Sequence, residues 1–479
     1  MAAVGNIEEY SEKLSKKFPY IMVNVNERTF EITYTVNAPV LARYMREHDR
    51  FIVLDGNGNK TLLLWYENGV YKTVNENGFK GKIKKHISDF NESDIKLNCS
   101  RVYDEVFKEL LVTTPTTAAV KINEQELFIN FQDGLLNTQT MQFVPHSPEI
   151  LSTVQLPCKW NTESGNCPVF DTYLETLTSG DRDVERLLWE YMGLVLSNIH
   201  GYRIKSALFL TGAADTGKSK FIELLGELLG SSNYANIDLG KIEQRFGTFQ
   251  LWGKRLGGAG DMSILRISEL KNFKELTGGD HISYEGKCLN AFTAPFYGCL
   301  CFGCNEMPRF GGDRGEHVYR RMLLVNCQNV IPKEKQDPKI VEKFLTERTA
   351  IVHKAIAALR NFIERGYKFI IPEQCKSNRT QYALNNSTVL QFLSECTCPR
   401  DEADHKLITS TGQMYKAYKN YTLFNGGSPV SNQVFKREIK EVYKNDLEHK
   451  DRRGNRFYCF ELTASMRGEL LAYENITQY

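Results

Sequence analysis

The stretch Leu208-Phe-Leu-Thr-Gly-Ala-Ala-Asp-Thr-Gly-Lys-Ser-Lys-Phe-Ile-Glu-Leu-Leu225 decides the fold of this chain. It passes from an apolar strand, through a loop of small residues, into a helix whose apolar residues recur at helical spacing. The pattern G-x-x-x-x-G-K-[ST] of a phosphate-binding loop is satisfied by Gly212, Gly217, Lys218 and Ser219. Glycines let such a loop turn tightly, so that successive N–H groups point at one anion, and the following helix adds its positive N-terminal end.

We therefore predict that this loop binds ATP together with Mg²⁺. In such sites the lysine ammonium reaches the β- and γ-phosphates and the serine hydroxyl binds the metal. Asp261 ends a predicted strand over residues 254–260, where a carboxylate typically holds the magnesium directly or through water. A surface or capping aspartate is the alternative. The predicted ATP-binding residues are Gly212, Ala213, Ala214, Asp215, Thr216, Gly217, Lys218 and Ser219, and the predicted metal ligands are Ser219 and Asp261.

Length and composition indicate a soluble protein of several domains, because 479 residues are too many for one core. The formal charge is only +2, so contacts to nucleic acid must come from local basic patches. No apolar run approaches the roughly 20 residues that span a bilayer, and the N-terminus lacks the features of a signal peptide. We expect a cytoplasmic protein with no membrane partner, and reduced rather than zinc-bound thiols for its twelve cysteines.

Periodicity and turn residues divide the chain into five predicted parts. A hairpin is predicted over residues 61–74, helices over 168–177 and 183–197, and a polar linker over 378–387. Residues 1–112 form an N-terminal α/β domain, and residues 113–200 form a region that precedes the ATPase and includes a helical collar. The ATPase domain is predicted over residues 201–335. A helical linker or lid follows over residues 336–385, and a C-terminal domain over residues 386–479.

The second half of the predicted ATPase domain contains a helix, a hairpin and a further strand, over residues 267–276, 282–292 and 296–303. Glu285-Gly286 is the predicted turn of the hairpin, and Lys287 lies beside this turn. Asn305 follows the last strand. Polar side chains are thus expected at the hairpin tip and at the end of a core strand.

The order of these motifs resembles superfamily 3 helicases, specifically the phage/plasmid and poxvirus-type primase-helicase branch. The resemblance rests on the phosphate loop and Asp261, and on three later motifs: Leu-Thr-Gly-Gly-Asp280, Asn305-Glu-Met-Pro-Arg-Phe and Tyr319-Arg-Arg-Met-Leu-Leu-Val. The preceding stretch is similar to the helicase-preceding domain of that branch, at Asn130-Phe-Gln-Asp-Gly-Leu-Leu-Asn, His146-Ser-Pro-Glu and Cys167-Pro-Val-Phe. The likeness extends over residues 125–335 and, more loosely, over the C-terminal part.

The resemblance implies an α/β fold of the AAA+ type, a ring of six identical chains and ATP bound between neighbours. It implies that Asn305 positions the attacking water and that Arg321, with Arg320 as the second match, reaches into the neighbour's site. Lys287, and less closely His281, match the hairpin that touches single-stranded DNA in the central pore. Simpler roles are the alternatives. Asn305 would then be a turn residue, Arg320 and Arg321 a solvated pair, and Lys287 an ordinary exposed lysine of the hairpin.

One position departs from the pattern of this family. A second acid often follows the magnesium-binding aspartate, whereas this chain has Met262 there. Another carboxylate such as Glu269 replaces this acid, or hydrolysis depends on Asn305 and the arginine, or the ATPase is slow. The resemblance implies Lys218, Asp261, Asn305, Arg321 and Arg320 as the catalytic set.

The residues after 388 predict a winged helix, with helices over 411–421 and 432–443 and a two-stranded wing around 451–457. The second helix and the wing are modestly basic, which favours binding to duplex DNA. A packing or protein-docking module is the alternative. The predicted DNA contacts of this domain are Lys436, Arg437, Lys440, Arg452, Arg453 and Arg456.

We therefore expect an ATP-dependent DNA helicase that replicates a mobile element or virus in a bacterial host. Single-stranded and duplex DNA, five further copies of the chain and a separately encoded primase or polymerase are the expected partners. An ATP-dependent initiator or loader, which remodels origin DNA without processive unwinding, is the alternative. A P-loop kinase would leave the hairpin lysine and the arginine pair without a role.

Overall fold

A computed structural model describes residues 2–29, 31–55, 62–160, 165–262, 266–267, 269–287, 291–310, 316–400, 409–443, 448–450 and 456–472. The central element of the described chain is a five-stranded parallel sheet with a hydrophobic core on each face. An N-terminal sheet with its helices and a C-terminal helical module have further cores of their own. No helix of this described part is long and apolar enough to cross a membrane.

The N-terminal part packs helices on one face of a four-stranded sheet of order β5-β4-β3-β6. The predicted hairpin is confirmed as β4 and β5, which turn at Asn68 and Gly69, both with positive φ. Such a turn matches the twist of the flanking strands. The elements are α1 Ala2–Lys17, β1 Ile21–Val25, β2 Ile32–Val36, α2 Ala38–His48, β3 Phe51–Leu54, β4 Leu63–Glu67, β5 Val70–Val74, α3 Glu76–Asn91, α4 Ser100–Thr113 and β6 Thr116–Thr117.

The next region joins a small antiparallel sheet to two helices. Both predicted helices are confirmed, and Asp181 caps the second one by accepting hydrogen bonds from two backbone N–H groups of its first turn. Residues 145–157 contain no helix or strand. The elements are β7 Phe128–Phe131, β8 Gly134–Asn137, β9 Phe143–Val144, α5 Pro168–Leu177 and α6 Arg182–Leu196.

The central sheet has the strand order β11-β12-β16-β10-β18, and all its neighbours are parallel. Alternate residues of β10 point to opposite cores, Leu208 and Leu210 to one and Ala207 and Phe209 to the other. A parallel strand buried on both faces reads as a continuous apolar run, which is why the sequence shows it. The elements are β10 Ala207–Thr211, α7 Lys218–Leu229, β11 Tyr234–Asn236, α8 Leu239–Ile242, β12 Leu256–Ala259, β13 Arg266–Ile267, α9 Lys271–Gly278, β14 Ile282–Tyr284, β15 Phe292–Ala294, β16 Cys299–Gly303, β17 Arg309–Phe310, α10 Glu316–Tyr319 and β18 Met322–Asn326.

Two local predictions in this part were wrong in detail. The helix expected from residue 267 begins at Lys271, because Ile267 pairs with Phe310 in the short strands β13 and β17. The hairpin exists, but its last pair is Tyr284 with Phe292, so a longer connection replaces the tight turn at Glu285-Gly286. Both aromatic rings pack against Trp252, and this tertiary contact determines where the strands end.

The polar stretch 378–387, expected to be a linker, is mostly helical. Its helix, α13 Glu373–Asn386, lies along the edge strand β18. The Asn378 amide donates to the carbonyl of Leu324 at 3.2 Å, and the Gln374 side-chain oxygen accepts from the N–H of Asn326 at 3.3 Å. Polar side chains here satisfy the free edge of a sheet, so a stretch without an apolar stripe still forms a packed helix.

The remaining elements form a helical pair beside the central core and a C-terminal module. The module contains the predicted helices and an antiparallel pair, β20 with β21. Residues 451–455 lie outside the described residues. The elements are α11 Ile340–Thr346, α12 Arg348–Glu364, α14 Thr388–Cys396, β19 Thr397–Pro399, α15 Thr411–Phe424, α16 Asn432–Tyr443, β20 Glu448–Lys450, β21 Arg456–Tyr458, β22 Phe460–Leu462 and α17 Ala464–Ala472.

Candidate functional site

The loop between β10 and α7 closes around the side chain of Lys218. The ammonium of Lys218 donates hydrogen bonds to the carbonyl oxygens of Gly212 at 2.8 Å and Ala213 at 2.5 Å, and to the Thr216 hydroxyl at 3.1 Å. Gly212 has φ +124°, and a Cβ there would lie 2.1 Å from the carbonyl oxygen of Cys327. The first glycine is thus required both by its dihedral angle and by the neighbouring strand connection.

Lys218 is a buried cation whose three hydrogen-bond acceptors are all uncharged oxygens. Its side chain is 6% exposed. Burial lowers its pKa, and the nearby carboxylates of Asp261 and Asp215 act in the opposite direction. No carboxylate among the described residues forms an ion pair with it at 4.0 Å or less. A buried charge without a charged partner is costly, so this ammonium is suited to meet an anionic ligand.

Oxygen ligands suitable for magnesium lie beside the loop. The Ser219 hydroxyl donates to the carbonyl of Gly260 at 2.8 Å, and Asp261 follows with an exposed side chain. Asn305 is also exposed at this edge, and its backbone carbonyl lies 3.4 Å from the N–H of Gly212. Asp261 and Asn305 follow core strands, as predicted, and because these strands are parallel, their carboxyl ends bring the residues together at one edge of the sheet.

A cavity of about 1330 Å³ opens over this edge. One wall is the phosphate loop, Asp261 and Asn305, and the other is formed by α5 and by residues 329–340, which we name the strap. The strap is fixed to the phosphate loop, because the N–H of Ile331 donates to the carbonyl of Asp215 at 2.9 Å. The Asn329 amide donates to the carbonyl of Thr176 at 3.0 Å, which joins the strap to α5.

Tyr173 on α5 is a site residue that sequence reasoning missed. Its hydroxyl donates to the carbonyl of Gly217 at 2.8 Å, and a Cβ on Gly217 would lie 3.0 Å from its ring. The exposed Lys333 and Lys335 of the strap line the same cavity and were also missed. The helical spacing of residues 168–177 predicts an apolar face, but no local pattern tells that this face lies on the loop.

Arg320 and Arg321 do not line the cavity of their own chain. Met322 pairs with Ala207, at the end of β10 opposite to Thr211. The four-residue separation corresponds to about 13 Å along the strand. Arg320 is exposed, and Arg321 is half-buried against α9.

The hairpin residues lie away from the cavity as well. His281 and Lys287 are exposed, one just before β14 and the other in the connection from β14 to β15. Glu285, at the start of that connection, forms an ion pair with Arg245 at 2.6 Å. The pair ties the hairpin to the segment after α8.

Residue 262, where the helicase family often has a second acid, is a methionine in this chain. Met262 is buried in the core opposite to α7. Glu269 is exposed and is not among the residues that line the cavity; its charge acts instead on Glu243. The carboxylates that do line it are Asp215, Asp261 and Asp337, and Asp337 is paired with Lys343 at 2.6 Å.

Helix α16 presents the predicted basic residues on one face. Phe435, Glu438 and Ile439 are buried, whereas the basic residues between them are exposed. The exposed set is Lys436, Arg437 and Lys440, with Arg456 exposed on β21. Arg452 and Arg453 lie outside the described residues.

No cysteine of the described chain forms a disulfide, and none of the described residues belong to a cluster of three or more potential metal ligands. Burial raises the pKa of Cys304 and of Cys327, which flank Lys218, to about 12. These thiols remain protonated near neutral pH, as expected for core residues.

Comparison with known proteins identifies two parts of the chain. Residues 38–179 match the family described as D5 N terminal like. Residues 210–321, which contain the loop, match a family of unknown function (DUF5906). An uncharacterized mitochondrial protein, ymf21 of Marchantia polymorpha, is 26% identical over 154 residues, which are 29% of this chain and 84% of that protein.

The fold is similar to that of the NrS-1 C-terminal region. Its A-form apo structure gives a TM-score of 0.50 at 11% identity and covers 88% of this chain and 99% of that one. A further apo structure of the region gives 0.46 at 12% identity, with 89% and 100% covered. At such identities the likeness concerns the fold.

The D5 N terminal like region begins at residue 38, well before residue 125, where the resemblance was expected to start. The structure explains why the two parts act as one region. The Asn130 amide donates to the carbonyl of Gly69 at 2.8 Å, the Gln155 amide donates to that of Asn68 at 2.7 Å, and the His146 ring packs on the same turn. The Asn130 and His146 motifs therefore dock the N-terminal hairpin, away from the cavity.

Proposed function

We propose that this protein is an ATP-dependent DNA helicase that acts in the replication of a mobile element or virus. The observation that carries the proposal is the buried Lys218 ammonium at the carboxyl edge of a parallel sheet, beside Ser219, Asp261 and Asn305. The match to a D5 N terminal like family supports a replication protein of the primase-helicase type.

The residues at the cavity fit a magnesium-bound triphosphate. The N–H groups of residues 212–219 and the Lys218 ammonium would hold the phosphates, and the oxygens of Ser219 and Asp261 would hold Mg²⁺. When bound, ATP and Mg²⁺ would supply the phosphoanhydride bond and the positive charge that neutralises its oxygens. Apolar side chains of α5 and the strap, among them Tyr173, Val330 and Ile331, would offer a surface for the base.

Two side chains of this edge would act on the attacking water and on the charge at the phosphates. Asn305 is exposed to the cavity, and its amide would orient the water. Lys218 would exchange its bonds to the loop carbonyls for bonds to phosphate oxygens. Because Met262 carries no charge, this site polarises water with the Asn305 amide and the Asp261 carboxylate rather than with a second acid.

A ring of identical chains would complete the site. The resemblance to superfamily 3 helicases implies hexamers with an AAA+ core, and the five-stranded parallel sheet would serve as that core. Arg320 and Arg321 lie at the end of β18 away from the cavity, which supports a role at the site of a neighbouring chain rather than at their own. The hairpin would place Lys287 on single-stranded DNA, and a primase or polymerase would act beside the ring.

The second candidate is an ATP-dependent initiator or loader that remodels origin DNA without processive unwinding. The exposed basic face of α16, in a module with the helix order of a winged helix, favours duplex binding. The uncharged Met262 is compatible with the slow hydrolysis such a role requires. The two functions share the nucleotide site and differ in what hydrolysis drives.

A strand-displacement assay on forked DNA, with ATPase measured in parallel, distinguishes the two functions. Lys218→Ala should abolish both activities, whereas Lys287→Ala should lose strand displacement and retain the hydrolysis seen without DNA. Lys376→Ala, a change of an exposed lysine on α13, is the matched control. ATP hydrolysis and DNA binding without strand displacement in the wild type would favour the initiator, and a wild type without hydrolysis would refute both.

A further inference from the structure

Arg321 is held by the helix that leads into the hairpin. Its backbone is part of the sheet, since its carbonyl accepts from the N–H of Ala207 at 2.8 Å. Its guanidinium Nη1 donates to the carbonyl of Lys274 at 3.2 Å and to the hydroxyl of Thr277 at 3.0 Å. Both acceptors lie in the last turns of α9.

The acceptors suit a cation for two reasons. The carbonyl end of a helix carries partial negative charge, so a guanidinium there stabilises the helix end. Thr277 is 4% exposed and already donates its own proton to the carbonyl of Phe273 at 2.7 Å, which leaves its oxygen free to accept. The contact is therefore directional, and a change of rotamer at either residue would break it.

Helix α9 leads directly into the hairpin. Three residues separate its end from β14, and the Tyr202 ring packs against Gly279, the first of them. The segment that leads into the hairpin is thus held by two contacts. Arg321 bonds to the end of α9, and the Tyr202 ring packs on Gly279. A shift of α9 at this point would be carried into β14 and β15, the two strands that present Lys287.

We propose that Arg321 is a positioning residue of the DNA-binding hairpin, which acts within its own chain through Thr277 and the end of α9. The exposed Arg320 then takes the place of the arginine that reaches a neighbouring chain. The inference rests on the proposed function, because it assigns the hairpin to DNA. It reverses the order of the two arginines that the family resemblance implies.

The decisive variant is Thr277→Val, which removes the acceptor but keeps the shape of the side chain. Loss of a hydrogen bond to a charged donor should weaken single-stranded DNA binding and the DNA stimulation of ATPase by roughly tenfold. Hydrolysis without DNA should stay within about twofold, since Thr277 does not line the cavity. Thr380→Val is the matched control, because Thr380 makes the same helical bond to a carbonyl four residues earlier but is exposed.

Fluorescence anisotropy of nucleotide-free protein on single-stranded DNA completes the test. Arg321→Ala should lose affinity to the same extent as Thr277→Val, and the double variant should lose no more than either, as expected for partners in one contact. Arg321→Lys, which keeps the positive charge and a single donor nitrogen, should recover part of the affinity. Thermal midpoints of all variants show whether a loss reflects unfolding.

Two results would overturn the inference. In the first, Thr277→Val binds and responds to DNA as the wild type does. In the second, the hydrolysis lost in Arg321→Ala is restored by mixing it with Lys218→Ala subunits, which would make Arg321 the arginine shared between chains. A wild type that hydrolyses no ATP would instead refute the proposed function and this inference with it.

Discussion

Gly212→Ala tests the geometry of the phosphate loop directly. The added Cβ would lie 2.1 Å from the carbonyl oxygen of Cys327, more than 1 Å short of an ordinary contact of 3.4 Å. That carbonyl cannot move freely, because the N–H of Cys327 donates to the carbonyl of Thr211 at 2.7 Å. The loop itself must therefore move away from β18.

The expected effect has two parts. An alanine at this sparsely populated φ costs about 1–3 kcal/mol, and the steric overlap adds about 1–3 kcal/mol. If the free loop relieves the steric overlap by shifting, nucleotide binding has to return the loop to its native position. The free energy of binding is then less favourable by the energy of the overlap. Nucleotide affinity should then fall by about 5–150-fold, since 1.4 kcal/mol corresponds to a factor of ten.

The assay is titration with a fluorescent ATP analogue, alongside a thermal melt. Gly426→Ala is the control, because Gly426 has φ +69° but nothing within 4 Å of the added Cβ. It should lose a similar amount of stability from backbone strain and bind nucleotide as the wild type does. Wild-type affinity in Gly212→Ala would refute the steric argument, and equal losses in both variants would assign the effect to strain alone.

Three further predictions concern the metal, the pH dependence and the C-terminal module. Asp261→Asn should abolish magnesium-dependent hydrolysis but retain binding of the fluorescent nucleotide without metal, and unchanged hydrolysis would contradict its role. Burial lowers the pKa of His200 from 6.5, against the effect of Glu126, so the folded state binds fewer protons than the unfolded state. The free energy of unfolding should then fall as the pH drops below 6.5, and less so in His200→Gln; equal urea titrations of both proteins would contradict this. Alanine at the three exposed basic residues of α16, Lys436, Arg437 and Lys440, should weaken duplex binding. The slope of log affinity against log salt concentration should fall by the equivalent of up to about three phosphate contacts. An unchanged slope would favour a packing module.

Local patterns predicted much of the central fold. The loop, its strand and its helix follow from glycine spacing and apolar periodicity, which act over a few residues. Asp261 and Asn305 meet at the cavity because parallel strands end at one edge, a general rule that needs only the strands themselves. The roles of these residues in ATP hydrolysis, and the domain boundaries, stay predictions.

The errors occurred where long-range contacts outweigh local pattern. Helix α13 has no apolar stripe and forms because its amides satisfy the edge of β18. The connection between β14 and β15 is longer than the two-residue turn that the sequence suggests, because Tyr284 and Phe292 pack on Trp252. In both cases the contacting residue lies more than 30 residues away along the chain, so no short window of sequence contains the cause.

The sequence by itself determined that this chain carries a glycine-containing loop, with the spacing of a phosphate-binding loop, between a buried strand and a helix, because backbone turns and strand burial are set by neighbouring residues. Only the tertiary structure decided that Tyr173 and the strap cover that loop, and that Arg321 is bonded to Thr277. Those contacts join side chains from separate elements, and their energies depend on distance in space rather than on spacing along the chain.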